Sequence, residues 1–597
     1  MTKKKIFHKL RENKGSKLYN RFVFFDTETH YTEVNEEQHH FLKLGVACER
    51  VLGTGKERQI TFTQIKNFWD FVLDTNEYTT VVVAHNMHFD LNVVKGLKFL
   101  PALGFEIVLP VFESGTFILV AINRQRRKRL IFLDTFNYFK TSIETIGEIL
   151  KLPKLDIDFE QCSFTELETY CKRDVEITKE IMLQWIDFLF EHDLGNLQYT
   201  IASQAFTAYR HKYMHYEILI HANQTAIELE QQSYRGGRTE AFYIGELNDV
   251  VIVDVNSLYP FVMKHCVFPN KLIGVKENLT YKDLIYLMNQ GYLLVADCDI
   301  TTYETAIGVK HEIGKSKKLI FPIGNFKAVI TNPEIIFLLA TNGKINKVRQ
   351  VAIYEGACIF RHYVTELYNL RKQYQSKENF TFQQMVKYIL NSLYGKFGQQ
   401  QRLLRKIGEA PKDLVMYEHC IDAQTGKRYT QIIFGGFVWV NEITKEESFN
   451  SFTAIASYVT AYARIYLHLL MLLPLTVYYC DTDSLMIPRT DLIKFGYLLG
   501  NELGQLKLEY SGDYVFIHGA KDYQVDEVIK RKGIKKDAVE IQPNVFQQLQ
   551  FLKTKSLIKE QFIDRVIVRT IEKHCKRKYD KGVISFSGKV EPIVLYE

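Results

Sequence analysis

Two groups of acids in this chain stand where apolar runs would hold them fixed. In the first, Phe22-Val23-Phe24-Phe25 leads into Asp26-Thr27-Glu28-Thr29. Two acids spaced by two on a strand project to the same side. Val81-Val82-Val83-Ala84 leads likewise into His85-Asn86-Met87-His88-Phe89-Asp90. Asp174 follows Tyr170 by four on a helical pattern, so the pair shares a helix face. Four such carboxylates suit a pair of hard divalent cations, which take oxygen ligands and steady the attacking and leaving oxygens of phosphodiester cleavage. A tyrosine hydroxyl one turn from such a ligand can orient the attacking water.

The second group begins at Val251-Ile252-Val253-Asp254-Val255, an apolar strand carrying an aspartate. An unpaired carboxylate buried in a strand is costly, so Asp254 is expected to face a cation. Farther on, Thr476–Cys480 and Ser484–Ile487 flank Asp481-Thr482-Asp483, which predicts a hairpin with an acidic tip. Such turns favour Asn-Gly or Asp-Gly, and two acids without glycine argue for a task other than turning. Between them, Lys387, Asn391 and Tyr394 fall at i, i+4 and i+7, one stripe of a helix. A cation, an amide and a ring on one face suit a triphosphate and a stacked base.

The elements that must position these residues follow from pattern. Short buried-strand runs, including Phe117–Ala121, fill residues 20–130, and 164–193 reads as an amphipathic helix, together an α/β unit ending near 190. A second strand-rich region opens at Val251, helical patterns fill 361–397 and 453–473, and a helix-plus-strand tail closes the chain. At 597 residues the chain is long enough for two to four domains. Its hydrophobic fraction of 46% and charged fraction of 24% exclude a disordered, collagen-like or disulfide-scaffold protein. Lys+Arg 76 against Asp+Glu 69 leaves +7, which permits a nucleic-acid partner without requiring one. The 9 cysteines show no CxxC pair or zinc spacing and read as reduced thiols. The basic N-terminus lacks the apolar core of a signal peptide, and Ile465–Tyr479 is too short to span a bilayer. A soluble, cytoplasmic protein is expected, in the host cytoplasm if it is viral.

Taken in order, these motifs closely resemble those of the family B DNA polymerases, and within them the protein-primed group of bacteriophages and linear plasmids. Asp26-Thr-Glu28, Asn86-x-x-Phe89-Asp90 and Tyr170-x-x-x-Asp174 match the three proofreading exonuclease motifs. Asp254-x-x-Ser-Leu-Tyr259-Pro, Lys387-x-x-x-Asn391-Ser-Leu-Tyr394-Gly and Tyr479-x-Asp481-Thr-Asp483-Ser match polymerase motifs A, B and C. Tyr234-Arg235-Gly236-Gly237 matches the Tyr-x-Gly-Gly motif between the two activities, and Lys521-Asp522-Tyr523 the Lys-x-Tyr motif. Any one is weak evidence; the ordered set is strong.

The resemblance implies roles. Asp254, Asp481 and Asp483 would serve nucleotidyl transfer, with Tyr259 under the incoming sugar, Lys387 on the triphosphate, and Asn391 and Tyr394 lining the nascent base pair. Arg371 or Lys372 would add a second phosphate contact, and the sequence does not choose between them. Lys521 and Tyr523 would steady the primer terminus, and Tyr234, Gly236 and Gly237 would contact DNA. In the exonuclease, Asp26, Glu28, Asp90 and Asp174 would bind metal and Tyr170 would place the water. His85, Asn86 and Phe89 would hold the frayed strand. Lys154-x-x-Ile157 resembles an exonuclease-assisting motif, with Asp156 as an extra metal contact. Thr135-Phe136-x-x-Phe139 resembles a primer-strand ligand, although Phe136 stands where the family has Leu. The cofactor implied is Mg²⁺, or Mn²⁺ in its place, two ions per active site.

The fold implied is multidomain α/β and α+β. An RNase H-like 3′–5′ exonuclease (1–190) precedes a palm (191–265 and 451–525), fingers (361–398) and a thumb (526–597). Two insertions, 266–360 and 399–450, mark the protein-primed group, where the first contacts a terminal protein and the second supports strand displacement and processivity. The function implied is that of a DNA-directed DNA polymerase that copies a linear viral or plasmid genome by protein priming, with proofreading and strand displacement. The alternative is an RNA- or DNA-primed polymerase of the same family, without terminal-protein priming. Expected partners are template and primer DNA, dNTPs and the terminal protein, with no membrane, the chain acting as a monomer. The basic run Arg124–Arg129 reads as an exposed hairpin tip, while Lys573–Lys581 stays open between a DNA grip and a solvated run.

Overall fold

The computed structural model describes residues 7–596 apart from 17, 114, 315, 402 and 443–446. Along Phe22-Val23-Phe24-Phe25, alternate side chains enter different cores. Phe22 and Phe24 join one with Trp185, and Val23 and Phe25 join another with Trp69. This is how a strand buried on both faces divides its side chains. The run belongs to the strand Arg21–Val34, which lies in a ten-stranded mixed sheet beside the parallel strands Thr79–Ala84 and Lys128–Asp134. One face is covered by the helix Phe164–Glu191, started by a capping box in which Ser163 and Glu166 satisfy each other's backbone N–H groups.

Arg21–Val34 does not stop at its acids, as the sequence reading had it. It runs on past Glu28 to Val34 and turns through Asn35 and Glu36, both left-handed, into Glu37–Val51. Asp90, expected just past a strand, lies inside the short helix Met87–Val93. The sheet also takes strands from the far end of the chain. Val566–His574 pairs antiparallel with Glu37–Val51, His40 facing Val566, and carries Val545–Phe551 and Val539–Gln542 beyond it.

A second sheet is wholly antiparallel and holds the other acids. Its order is Thr239–Ala241, Tyr479–Asp481, Ser484–Pro488, Gly245–Val255, Leu506–Gly519, Asp522–Val525 and Val528–Lys530. Behind it runs Thr453–Met471, a helix buried almost throughout, as the apolar sequence requires. Residues 266–360 form most of a third sheet, which also receives Phe7–Lys9, Leu219–His221 and the C-terminal strand Val594–Tyr596. Four antiparallel strands between Leu403 and Glu442 make a separate small sheet. Helices Arg361–Ser376 and Phe380–Ser392 occupy the helical pattern at 361–397. The expected single stripe is broken there: the helix ends at Ser392, and Tyr394 opens a separate short helix, Tyr394–Phe397. Among the described residues no helix is long and apolar enough to cross a membrane.

Candidate active sites

The first acid cluster gathers four carboxylates from three elements. Asp26 and Glu28 come from the strand, Asp90 from Met87–Val93 and Asp174 from Phe164–Glu191. Thr27 holds Asp90 with its backbone N–H at 3.1 Å and its hydroxyl at 2.7 Å. Burial, then the neighbouring Asp90, Glu28 and Asp174, push Asp26 well above the usual carboxylate range. Burial and Asp174 push Glu28 up to about 7. Asp174 keeps one buried oxygen without a hydrogen-bond partner, while Lys154 donates to the other and lies 4.5 Å from the centre of the Tyr170 ring.

Ligand atoms of Asp26, Glu28 and Cys171 lie within 4.8 Å of one another. The Cys171 thiol is driven upward by burial, stays protonated and donates to Asp26 at 3.4 Å. A protonated thiol is a poor ligand for a hard cation, so the donor set is the carboxylates. Repelling acids with an orphaned oxygen fit divalent metal. Asp156 is exposed and contributes to none of these contacts.

Next to this cluster, the His85 Nδ1 and Thr135 hydroxyl lie 2.7 Å apart, two expected strand ligands brought together across the sheet. Burial lowers His85 to about 4, which keeps its ring neutral. Asn86 sits in left-handed backbone, fixed because Asp134 accepts from the N–H groups of Asn86, Met87 and Phe136 at 2.8–3.1 Å. Sequence reasoning passed over Asp134; an acid directly before Thr135 at a strand end was the available signal.

The second cluster sits at the middle of the antiparallel sheet. Tyr479–Asp481 and Ser484–Pro488 form the expected hairpin, and Asp254 lies directly opposite Ser484. Thr482, at the tip, has φ +61° and donates its N–H to Arg238 O at 2.6 Å, while Val255 N–H donates to Asp483 O at 2.8 Å. Asp481 accepts from Thr239 at 2.8 Å and has the Lys521 ammonium at 3.4 Å. Asp254 is half-buried rather than fully buried, yet burial, Asp483 and Glu509 push it up to about 7. Burial, Asp481 and Glu509 raise Asp483 to about 6. Glu509, from the adjacent strand Leu506–Gly519, escaped the sequence reading because nothing local ties it to residue 254.

Gly237 has a concrete reason to be glycine: a Cβ there would meet Thr482 Cγ2 at 2.8 Å. Tyr234 packs against Gly398, and Gly236 O accepts from the buried Arg464 at 3.2 Å. Tyr259 and Tyr394 place their rings 4.7 Å apart. Lys387 and Asn391 are exposed on the neighbouring helix, and Lys387 is near enough to oppose the upward shifts of Asp254 and Asp483. Arg371 donates to Ser257 of the Asp254 loop at 3.1 Å, whereas Lys372 is exposed and bound to Glu502 at 2.5–2.7 Å. Of the two cations left open by sequence, Arg371 is thus the one in contact with the Asp254 loop. Tyr523 packs 5.3 Å from Tyr479, whose hydroxyl accepts from Lys521 N–H at 2.9 Å.

A family described as DNA polymerase type B, organellar and viral, matches residues 158–471. A probable DNA polymerase of Neurospora intermedia is 26% identical over 373 residues, 60% of this chain and 37% of that protein. A probable DNA polymerase of Podospora anserina is 25% identical over 508 residues, 76% of this chain and 39% of that protein. The DNA-directed DNA polymerase of Enterobacteria phage PRD1 is 26% identical over 300 residues, 49% of each chain. The matches thus span half or less of these relatives' own length. The solved structure of Phi29 DNA polymerase complexed with primer-template DNA and incoming nucleotide substrates superposes with TM-score 0.65 at 15% identity, covering 94% of this chain and 100% of that one. That likeness establishes the fold.

Proposed function

The chain belongs to the organellar and viral type B DNA polymerases, and from that premise we propose that it extends DNA on a template and proofreads with a separate 3′–5′ exonuclease. The observation that carries this is the presence of two acid clusters on two different sheets, each with carboxylates raised by one another. On this reading the N-terminal sheet is the exonuclease, the antiparallel sheet the palm, 361–398 the fingers and the C-terminal strands the thumb.

Asp254 and Asp483, with Asp481 beside them, would hold two Mg²⁺ or Mn²⁺ ions. When bound, these supply charge stabilisation for the displacement at phosphorus. Arg371 and Lys387 then neutralise the triphosphate from the helical side, and the Tyr259–Tyr394 ring pair forms the floor against which sugar and base rest. Lys521 stands 3.4 Å from Asp481, where it would meet the primer end. In the first cluster Asp26, Glu28, Asp90 and Asp174 would hold the ions. Lys154 links Asp174 and Tyr170, and the tyrosine hydroxyl would place the attacking water.

Protein priming is the further part of the proposal: residues 266–360 would meet a terminal protein whose hydroxyl receives the first nucleotide. The chain's resemblance to the protein-primed group and the likeness to the phage PRD1 protein support it. Primer extension tests the first part. D254A and D483A are expected to abolish extension and D26A/D90A to abolish 3′–5′ digestion alone; extension surviving D254A would refute the assignment. Incubation with labelled dNTP and the candidate terminal protein tests the second. Absence of a labelled protein adduct would favour a polymerase that extends only nucleic-acid primers.

A further inference from the structure

Arg238, the residue after the Tyr234–Gly237 loop, is 1% exposed, and its side chain belongs to neither acid cluster. The guanidinium is held in three directions. Nε donates to Glu240 at 2.6 Å, Nη1 to His468 Nδ1 at 2.9 Å and Nη2 to the Thr305 hydroxyl at 3.0 Å. Its face lies 4.5 Å from the centre of the buried Phe321 ring. Burial, then Arg238, lower His468 to about 3, so the imidazole is neutral and its Nδ1 lone pair accepts. The ring proton then sits on Nε2, which faces Glu304 at 3.5 Å. Glu304, Thr305 and Phe321 come from residues 266–360, and His468 from the helix Thr453–Met471. One side chain therefore ties the segment of the third sheet and the helix behind the antiparallel sheet to a single point.

That point adjoins the acidic hairpin. The Arg238 carbonyl accepts from Thr482 N–H, between Asp481 and Asp483, at 2.6 Å. The next residue opens the strand Thr239–Ala241, which pairs with Tyr479–Asp481, Thr239 opposite Asp481 and Glu240 opposite Cys480. The Thr239 hydroxyl also donates to the Asp481 carboxylate at 2.8 Å. This strand is three residues long and stands at the edge of its sheet, so its own ladder fixes it weakly. A buried guanidinium is costly to desolvate, and an apolar residue of similar size would stabilise a core as well or better. What the arginine adds is direction, because a planar fork held by three partners has one orientation where a flexible ammonium has many.

We propose that Arg238 is a positioning residue for nucleotidyl transfer: gripped by Glu240, His468 and Thr305, it sets the place of the hairpin that carries Asp481 and Asp483. The proposal rests on reading the second cluster as the site of that reaction. It also gives residues 266–360 a bearing on the chemistry, since Thr305 and Phe321 hold the far end of the side chain. Arg371 and Lys387, on the triphosphate side, stand on two other helices. A displaced hairpin should therefore show in turnover and metal affinity rather than in nucleotide affinity.

The test uses the full chain in a D26A/D90A background, which removes two acids of the first cluster. Free Mn²⁺ is followed by electron paramagnetic resonance and single-nucleotide extension by steady-state kinetics, with a thermal melt of each variant. Arg238→Met with Glu240→Gln removes both buried charges together and strands neither. Arg238→Lys keeps the charge beside Glu240 but not the fork. Both are expected to lower kcat about tenfold or more, keep KM for dNTP within about threefold and weaken Mn²⁺ binding about fivefold or more. Unchanged kcat and Mn²⁺ affinity in either variant, whatever its melting temperature, would overturn the proposal, as would a loss that appears only in KM. Full recovery in Arg238→Lys would reduce the residue to a counter-charge for Glu240. The underlying reading fails separately: a D254A chain that still extends primers and binds Mn²⁺ as tightly refutes it, whatever Arg238 does.

Discussion

At the scale of single residues, the clearest result is how strongly the acids act on one another. Asp254 and Glu28 stand at about 7 and Asp483 at about 6, against an unfolded carboxylate near 4. In that window the folded, metal-free protein binds more protons than the unfolded chain. Its stability should therefore fall as pH rises from about 4 through about 7. A divalent cation must displace those protons, so Mg²⁺ or Mn²⁺ should raise the melting temperature more at about pH 8 than at about pH 5. Thermal melts with and without metal check this; an equal shift at both values sinks it. Two neighbours separate just as sharply. Arg371→Ala should raise KM for dNTP at least severalfold, while Lys372→Ala, which breaks an exposed ion pair with Glu502 and a contact with the Tyr368 ring, should leave it within about twofold.

At the scale of elements, the acidic hairpin depends on its contact with glycine. Thr482 adopts a left-handed φ and presses on Gly237, where a Cβ would meet it at 2.8 Å. Gly237→Ala should displace the tip that carries Asp481 and Asp483. We expect extension to drop tenfold or more while 3′–5′ digestion persists; steady-state extension and single-strand digestion on the same preparation decide it. The motif was readable in sequence, but its reason was not. Glycines in sequence suggest freedom of backbone, whereas here the need is for room against a hairpin that arrives from more than two hundred residues away. The helix carrying Lys387 makes the opposite point. Its expected stripe held up to Ser392 and was interrupted before Tyr394, which opens a separate short helix and places its ring 4.7 Å from that of Tyr259, a partner that no local period could name.

At the scale of the whole molecule, buried charge joins the parts. Glu334, on the helix Asn332–Ala340, is fully buried between Arg235 and Arg464, at 3.3 and 3.0 Å, and so connects the third sheet to the Tyr234–Gly237 loop and to the helix Thr453–Met471. Glu334→Leu would strand two buried guanidiniums and should cost about 3–5 kcal/mol, read from denaturant unfolding; a loss below about 1 kcal/mol would show that water reaches them. The sequence alone determined the strands, the main helices and nearly every acid of both clusters, because alternation, helical period and motif spacing are local properties. It could not determine that Arg569 and Glu37 pair across one sheet, that Glu509 joins Asp254, or that Arg371 donates to Ser257 while Lys372 pairs with Glu502. Those outcomes depend on which distant segments share a sheet edge, and burial energy decides that only when the chain closes on itself.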